Sequence, residues 1–443
     1  MPEERIEELV EQRDFKQLKL ELEDMYPVDL AEIMEELTDK QVVLIFRLLP
    51  KEEAAETFSY MNAEMRQVLI DALTDSELQE VMEEMYIDDT VDVLEEMPAN
   101  VVDRLLLVTD EEPRKQINMF LQYPDDSAGS IMNVEYIALR KEMTVAEAIL
   151  KIRQVGINKE TIYTCYVTEK RKLIGSVDVK DLLTTGENKV IEEIMETNPL
   201  FVRTLDDKED VANTIHKYGL IAIPVLDQEM CMVGIVTVDD AMIVLQDEAT
   251  EDMSVMAGVV PNEESYFGTS VWKHARNRFP WLLFLMLSAT ITGLILGHFE
   301  AALAVMPILN TFIPMLTGTG GNCGSQSSTL IIRGLTVGEI EFKDIFRVLF
   351  KEIRVALLVG LCLSMVNGVR VIIMYGDPLL AFAIGLTMIA TILLSKTVGC
   401  VLPLVAKKCR LDPAIMAAPL ITTLVDTGTI LVYFAIVTRI FHI

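Results

Sequence analysis

The chain has 443 residues, and its composition changes sharply near Phe279. Residues 1–278 hold 27 Lys and Arg against 60 Asp and Glu, a net charge of −33, whereas residues 279–443 hold 11 against 8 and are mostly apolar. The acidic part would repel a phosphate backbone, which argues against nucleic acid as a partner, and six scattered cysteines without a CxxC pair argue against zinc or disulfides. No apolar leader opens the sequence, so we expect the acidic part in the cytosol.

Residues 1–130 predict an all-α domain. Apolar residues recur at helical spacing, as at Leu30 and Ile33, and prolines separate the segments. The sequence of 29–37 returns in weaker form at 89–97, about 60 residues later. Such a repeat is typical of helical hairpins stacked in a small superhelix.

Residues 131–248 predict two copies of one α/β unit. Each copy runs from an Ile-Met pair through a helical segment to an apolar strand, a glycine turn, a second strand and an acidic residue at the start of a helix. The first copy closes at 173–181 and the second at 233–240. This arrangement resembles a tandem pair of CBS domains.

A connecting helix, 249–278, and a transmembrane domain, 279–443, complete the predicted organisation. The connector ends in a basic stretch that contains Trp272, the expected cytoplasmic flank of a membrane span. We predict five spans, near positions 279–297, 303–332, 353–374, 378–406 and 413–440. Lys and Arg concentrate in the first flank and in the loops after spans two and four, which places the N-terminus inside and the C-terminus outside.

The second predicted span carries a polar run from Gly318 to Ser328. Four glycines, an Asn, a Gln and several hydroxyl side chains interrupt an otherwise apolar segment. Exposed polar groups are costly in lipid, so these residues must face protein or a water-filled path. The run therefore predicts either close helix packing through small residues or a pore lining with accessible backbone carbonyls.

Two carboxylates mark the fifth predicted span. Asp412 precedes Pro413, which is typical of a residue that caps a helix, and this does not exclude a place at a pore mouth. Asp426 lies 14 residues further on, roughly 20 Å along a continuous helix, where a carboxylate is costly unless it faces water or a cation. No His or Cys cluster favours a softer metal, so the pattern predicts a hard divalent ion: Mg²⁺, Ca²⁺, Mn²⁺ or Co²⁺.

The order of these domains and three motifs, at 124–129, 320–326 and 419–426, resembles the MgtE family of magnesium channels. The resemblance covers essentially the whole chain, although Cys323 stands where a small residue such as Ala is common. It implies a homodimer in the cell membrane that imports Mg²⁺ through a pore on its two-fold axis. The implied pore residues are Asp426 as the ion-selecting carboxylate, with Gly318 and Gly321 beside it. Asp412 stays a candidate for the pore mouth.

The resemblance also implies regulatory Mg²⁺ sites where the cytoplasmic domains meet. The matching residues are acidic, apart from one glycine that would contribute its carbonyl: Asp88, Asp92, Gly129, Asp207, Glu209, Asp240, Glu248, Glu251 and Asp252. Closely packed carboxylates repel one another, and a divalent ion relieves that repulsion. At each position, a solvated surface residue remains the alternative.

ATP is implied as a regulatory ligand of the first CBS copy. Tyr163 could stack on the base, Lys180 could meet a phosphate and Asp181 could bind the ribose hydroxyls. Asp178 weighs against this site, because the second copy has Thr237 there and a carboxylate repels phosphate.

Two other functions remain as alternatives. One is a less selective transporter of Co²⁺, Mn²⁺ or Ca²⁺, and the other is a membrane-anchored sensor in which the CBS pair binds a ligand. A mere anchor needs neither the polar second span nor Asp426. The sequence has no recognisable nucleophile–base pair and no phosphate-binding loop, so we do not expect an enzyme.

Overall fold

The computed structural model describes residues 2–262, 266–416 and 418–442. The chain forms two compact units that separate between Gln246 and Asp247. The first unit contains the helical domain and the α/β pair, and the second contains the apolar helices.

Ten short α-helices open the described part of the first unit. They are α1 (Pro2–Gln12), α2 (Phe15–Glu23), α3 (Pro27–Glu35), α4 (Asp39–Phe46), α5 (Lys51–Tyr60), α6 (Ala63–Ala72), α7 (Asp75–Glu84), α8 (Ile87–Glu95), α9 (Ala99–Val108) and α10 (Glu111–Phe120). Side-chain caps such as Asn62 and Thr74 begin several of them by accepting backbone N–H groups. Helix α3 packs on α5, α5 on α7, and α7 on α9, so the predicted superhelix is confirmed.

Two small sheets follow, one in each CBS copy. The first has the order β1 (Ala138–Leu139), β2 (Thr164–Glu169), β3 (Lys172–Asp178) and β4 (Glu196–Thr197), and the second has β5 (Val202–Arg203), β6 (Ala222–Leu226) and β7 (Met232–Thr237). Their helices are α11 (Val145–Val155), α12 (Val179–Thr184), α13 (Lys208–Tyr218) and α14 (Val238–Met256). In both copies the first strand pairs in parallel with the second, which pairs antiparallel with the third.

The predicted glycine turns are wrong. Gly175 lies inside β3 and Gly234 inside β7, and both are needed because another chain segment passes close by. A Cβ on Gly175 would lie 2.9 Å from the sulfur of Met195, and one on Gly234 would lie 3.0 Å from the sulfur of Met132. Each methionine of the repeated Ile-Met pairs therefore packs on the other copy's glycine, which ties the two CBS copies together.

The second unit is built from long helices. They are α15 (Val271–His298), the short α16 (Glu300–Val305), α17 (Ile313–Thr336), α18 (Ile345–Tyr375), α19 (Pro378–Lys408) and α20 (Ala418–Phe441). Helices α17, α19 and α20 pack against one another, α18 packs on α19, and α15 packs on α20.

Among the described residues, four helical stretches are long and apolar enough to cross a membrane: Val271–His298, Phe342–Tyr375, Pro378–Lys408 and Pro413–Phe441. Helix α17 has 24 residues, about 36 Å, which is sufficient in length, but its polar run lowers its hydropathy. A count of five spans requires α17 in addition to these four stretches, and it therefore stays a prediction.

Two predicted segments differ in their boundaries. The connector 249–278 is not one helix, because α14 ends at Met256 and α15 begins at Val271, where the Ser270 hydroxyl accepts the N–H of Lys273. The second span begins at Ile313 rather than 303, since α16 and a 3-10 helix, Pro307–Phe312, precede it.

Candidate functional site

Asp426 lies in the interior of α20. It is the ninth residue of the helix, about 12 Å from its start, and its side chain is partly buried. Among the described residues its carboxylate has no hydrogen-bond or ion-pair partner. Neighbouring hydroxyls are already engaged, since those of Thr422 and Thr423 donate to the carbonyl of Pro419 over 2.9 and 3.0 Å. The carboxylate therefore remains available to a cation or to water.

Helix α17 has a buried face of small residues. A Cβ on Gly320 would lie 2.9 Å from Val425, and one on Gly324 would lie 2.7 Å from Ile421, so both glycines allow α17 to approach α20 closely. Gly321 is also buried, and a Cβ there would lie 2.9 Å from Thr422. The structure thus gives Gly321 a packing contact, and its place in a pore lining stays a prediction.

The opposite face of α17 is polar and open. Gly318, Asn322 and Gln326 recur at intervals of four residues on this exposed face, and no atom outside the helix lies within 4 Å of where a Cβ on Gly318 would be. A shallow, open cleft of about 630 Å³ lies along the same face, lined by residues of α17 alone: Asn322, Ser325, Gln326, Thr329 and Leu330. The buried face therefore fits close helix packing, and a pore lining on the open face stays a prediction.

Asp412 caps a short helix rather than the long one. Its Oδ1 accepts the N–H of Ala414 over 2.7 Å, at the start of a 3-10 helix, Pro413–Met416. The expectation of one continuous helix from Asp412 to Asp426 is wrong, because α20 begins at Ala418. Proline at the first position and the Asp412 cap favour a separate tight turn here.

The end of α14 lies beside this turn. Burial raises the pKa of Asp252, and the nearby charge of Asp412 raises it further. Lys407 at the end of α19 lowers the pKa of Asp252 slightly, as does a hydrogen bond with Thr336 at the end of α17. Asp252 and Glu251 lie in the part of α14 that belongs to the second unit, and with Asp412 they form a small acidic group near the ends of α17 and α19.

A larger acidic cluster lies where α8 meets the CBS pair. The side-chain amide of Asn133 donates to Asp88 over 3.0 Å and to Glu160 over 3.1 Å. Burial and the charge of Asp240 raise the pKa of Asp88 well above its usual range, and the same two causes raise that of Glu160 to about 7. Burial is also the largest cause of the raised pKa of Asp92, which is about 7.

The acidic cluster contains Asp88, Asp89, Asp92, Glu160 and Asp240. The sequence predicted three of these as sensing residues, Asp88, Asp92 and Asp240, and missed Asp89 and Glu160. The doublet Asp88-Asp89 was a visible signal, whereas Glu160 lies in a loop outside any motif. Among the described residues no three acidic, His or Cys side chains converge closely enough to hold a metal by themselves. Mg²⁺ usually keeps several waters and needs only one or two carboxylates, so the donor set suits that ion.

The acidic cluster predicts that the Mg²⁺-free protein loses stability as pH rises. The folded pKa values lie above those of an unfolded chain, so the folded state binds more protons, and the free energy of unfolding falls as pH increases through about 4 to 7. We expect the thermal midpoint of the first unit to be lower at about pH 8 than at about pH 6. Asp92→Asn should flatten this dependence, and a wild-type slope in that variant would contradict the assignment.

Gly129, Asp207 and Glu209 meet at a second junction. The N–H of Gly129 donates to the carbonyl of Thr204 over 2.9 Å, and a Cβ at this position would lie 2.6 Å from the ring of Tyr123. The side chain of Asp207 accepts the N–H of Glu209 over 2.9 Å and so caps α13. The structure therefore brings all three to the border between the helical domain and the second CBS copy.

The three residues predicted to bind ATP lie at the start of α12. The N–H of Val179 donates to the carbonyl of Tyr163 over 2.9 Å, and the side chain of Tyr163 is exposed. Lys180 and Asp181 occupy the first turn of α12. The carboxylate of Asp178, which weighs against phosphate binding, accepts a hydrogen bond from the Thr164 hydroxyl over 2.8 Å. One of its two oxygens is therefore engaged.

Comparison with known proteins covers all three regions. Family models match residues 313–436 (divalent cation transporter), 25–126 (MgtE intracellular N domain), and 128–187 and 191–247 (CBS domain). The magnesium transporter MgtE of Thermus thermophilus is 35% identical over 436 residues, 97% of this chain and 96% of the relative. The chain belongs to the MgtE family. The Bacillus subtilis magnesium transporter MgtE is 32% identical over 97% of this chain and 94% of its own length.

Two solved structures of magnesium transport proteins resemble about half of the chain. The cytosolic domain of the Mg²⁺ channel MgtE in complex with ATP is 34% identical, with a TM-score of 0.52, and covers 54% of this chain and 98% of that one. The soluble part of a magnesium transporter is 27% identical, with a TM-score of 0.53, over 56% of this chain and 98% of that one. As an MgtE protein the chain is a membrane-embedded transporter with a cytosolic N-terminal region, and not an enzyme.

Proposed function

We propose that this protein is a channel-type importer selective for Mg²⁺. Asp426 carries the proposal, because it is a carboxylate inside a long apolar helix with no protein partner among the described residues. Intramembrane carboxylates are costly unless they face water or a cation. A hydrated Mg²⁺ ion held by one or two carboxylates would satisfy Asp426 without a complete protein ligand shell.

A homodimer accounts best for the polar face of α17. Gly318, Asn322 and Gln326 lie on an exposed face that lipid would not solvate. A second copy against this face would enclose the cleft and bring two Asp426 carboxylates to one axis. The pore then lies between subunits, with Asp412 at its cytosolic mouth.

Cytosolic Mg²⁺ closes this pore in our proposal. The acidic cluster at Asp88 and Asp240 has raised pKa values because its charges are buried and repel one another, and Mg²⁺ would relieve that repulsion. The second group, Asp252 with Asp412, would let the same ion hold the end of α14 against the pore mouth. Gly129, Asp207, Glu209, Glu248 and Glu251 are further candidates for this regulation.

ATP is the proposed second regulator. Its site would be Tyr163, Lys180 and Asp181 at α12, and the support is the solved relative that holds ATP in its cytosolic domain. For the membrane topology we propose a cytosolic N-terminus and an extracytoplasmic C-terminus. This follows if all five long helices span, since Lys407, Lys408 and Arg410 then lie inside.

Uptake of several cations into liposomes that contain the purified protein tests the proposal. We expect Mg²⁺ to enter at low millimolar concentration and Ca²⁺ to enter poorly, since a site that keeps the waters of Mg²⁺ disfavours a larger ion. Equal uptake of Mg²⁺, Co²⁺, Mn²⁺ and Ca²⁺ would favour the less selective transporter. No uptake of any of them would favour the membrane-anchored sensor.

A further inference from the structure

An ion pair of Lys396 and Glu352, which belong to none of the groups described above, lies buried among the long helices. Lys396 of α19 and Glu352 of α18 have side chains 7% and 12% exposed, and Nζ lies 3.3 Å from Oε2. Charges within membrane segments are costly and usually serve a function. Neither residue belongs to the proposed ion path or to the proposed regulatory sites.

Ser327 of α17 completes a triangle with this pair. Its hydroxyl donates to Glu352 Oε2 over 2.6 Å and accepts from Lys396 Nζ over 3.0 Å. The side chain of Ser327 is completely buried, so both its donor and its acceptor are used inside the protein. Three helices, α17, α18 and α19, are therefore joined at one point by directional bonds.

The position of Ser327 on α17 gives this triangle its consequence. Ser327 directly follows Gln326 of the open polar face but is turned about 100° around the helix axis and is buried, whereas Gln326 is exposed. Because side chains on a helix turn by a fixed angle per residue, fixing the direction of Ser327 also fixes the directions of Gln326 and Asn322. The contacts of Gly320 and Gly324 set how closely α17 approaches its neighbours, but they contain no directional bond.

Stability alone does not explain such a pair. A buried ion pair often contributes little or nothing to stability relative to apolar residues of the same size, whereas removal of one partner leaves an uncompensated charge. An unpaired Lys396 behind α17 would also repel a passing cation, and Glu352 cancels that charge.

We propose that Lys396, Glu352 and Ser327 are positioning residues that fix the rotation of α17 and so hold its polar face toward the ion path. This inference rests on the proposed pore function. The direct test is the double variant Glu352→Leu with Lys396→Met, which removes both charges. We expect a thermal midpoint at least equal to wild type, because no lone charge remains, but Mg²⁺ uptake about tenfold lower and a reduced preference for Mg²⁺ over Ca²⁺. A purely structural pair would shift stability and uptake together.

A second variant covers the case in which the double variant fails to fold. Ser327→Ala keeps both charges and removes only the bonds to α17, and we expect the same loss of uptake and selectivity. The charge reversal Glu352→Lys with Lys396→Glu should recover part of it, since a pair is restored. Lys351→Gln is the matched control, because it removes an exposed charge next to Glu352, and its uptake should equal wild type.

Wild-type uptake and selectivity in Ser327→Ala, or in a folded double variant, would overturn the inference. Asp426→Ala is measured in parallel to separate this outcome from failure of the pore proposal. If Asp426→Ala is inactive while Ser327→Ala is normal, only the positioning role is wrong. If Asp426→Ala also transports normally, the proposed pore itself is wrong.

Discussion

Asp426→Asn is expected to abolish Mg²⁺ uptake while the protein remains folded. Asn keeps the size and polarity of the side chain but removes the charge that would hold a hydrated divalent ion. For unit charges ~4 Å apart at an effective dielectric constant of ~20, that attraction is about 4 kcal/mol, or roughly a thousandfold in rate if it is lost at the barrier. Folding should be preserved because, among the described residues, no partner of the carboxylate is lost. Liposome uptake and the thermal midpoint are the measurements.

A matched control exists in Asp377→Asn. Asp377 caps α19 by accepting the N–H groups of Leu379 and Leu380, so the variant changes the same chemistry at a helix end. Because Asn caps a helix about as well as Asp, little change in stability is expected, with uptake unchanged. Wild-type Mg²⁺ uptake in Asp426→Asn would contradict the pore assignment.

Millimolar Mg²⁺ is expected to protect the segment between α14 and α15 from proteolysis. Chymotrypsin suits the test, because Tyr266 and Phe267 are exposed and neither is a proposed Mg²⁺ ligand, so protection reports a change of conformation. Without Mg²⁺ the carboxylates of the acidic cluster repel one another. With Mg²⁺ bound, we expect the domains and the connector to come together. A shift from almost all open to almost all closed requires a differential binding energy of about 5.5 kcal/mol, which several weak sites supply jointly.

Charge screening is the alternative explanation of such protection, and NaCl at equal ionic strength controls for it. Asp88→Asn combined with Asp240→Asn should weaken protection by Mg²⁺, since it removes two charges of the acidic cluster. Removal of residues 1–130 should weaken it as well and leave the channel harder to close. Equal cleavage with and without Mg²⁺ would refute gating and leave the pore proposal standing.

The sequence predicted the fold class because periodicity and duplication are local signals. The superhelix followed from apolar spacing and prolines, and the CBS pair followed from a repeat. The purpose of Gly175 and Gly234 could not be read locally, because the reason for each glycine is a methionine more than ten residues away that packs against it. The end of α14, by contrast, carries local signals, Gly258 with a φ of 72° and then Pro261, which the prediction of one connecting helix did not use.

The candidate site was predictable only where a residue is unusual for its segment. Asp426 stood out as a charged residue in an apolar segment, and Lys396 is a charged residue in such a segment too. Its partner Glu352 is not unusual for its segment, because it lies near the basic end of α18. Glu160 joins the acidic cluster only through the tertiary fold. The two faces of α17 likewise share one sequence motif, and only the packing against α19 and α20 separates buried glycines from the open polar face.

Mg²⁺ uptake driven by membrane potential alone tests the central claim most directly. Liposomes that contain the wild-type protein with its cytosolic region inside are given an interior-negative potential. ATP is absent, no ion gradient is present beyond the one that sets the potential, and the interior contains no Mg²⁺. A passive pore predicts Mg²⁺ entry that rises with the potential and stops when millimolar Mg²⁺ reaches the cytosolic region. Entry that requires ATP or a second ion, or that ignores the potential, would contradict the account.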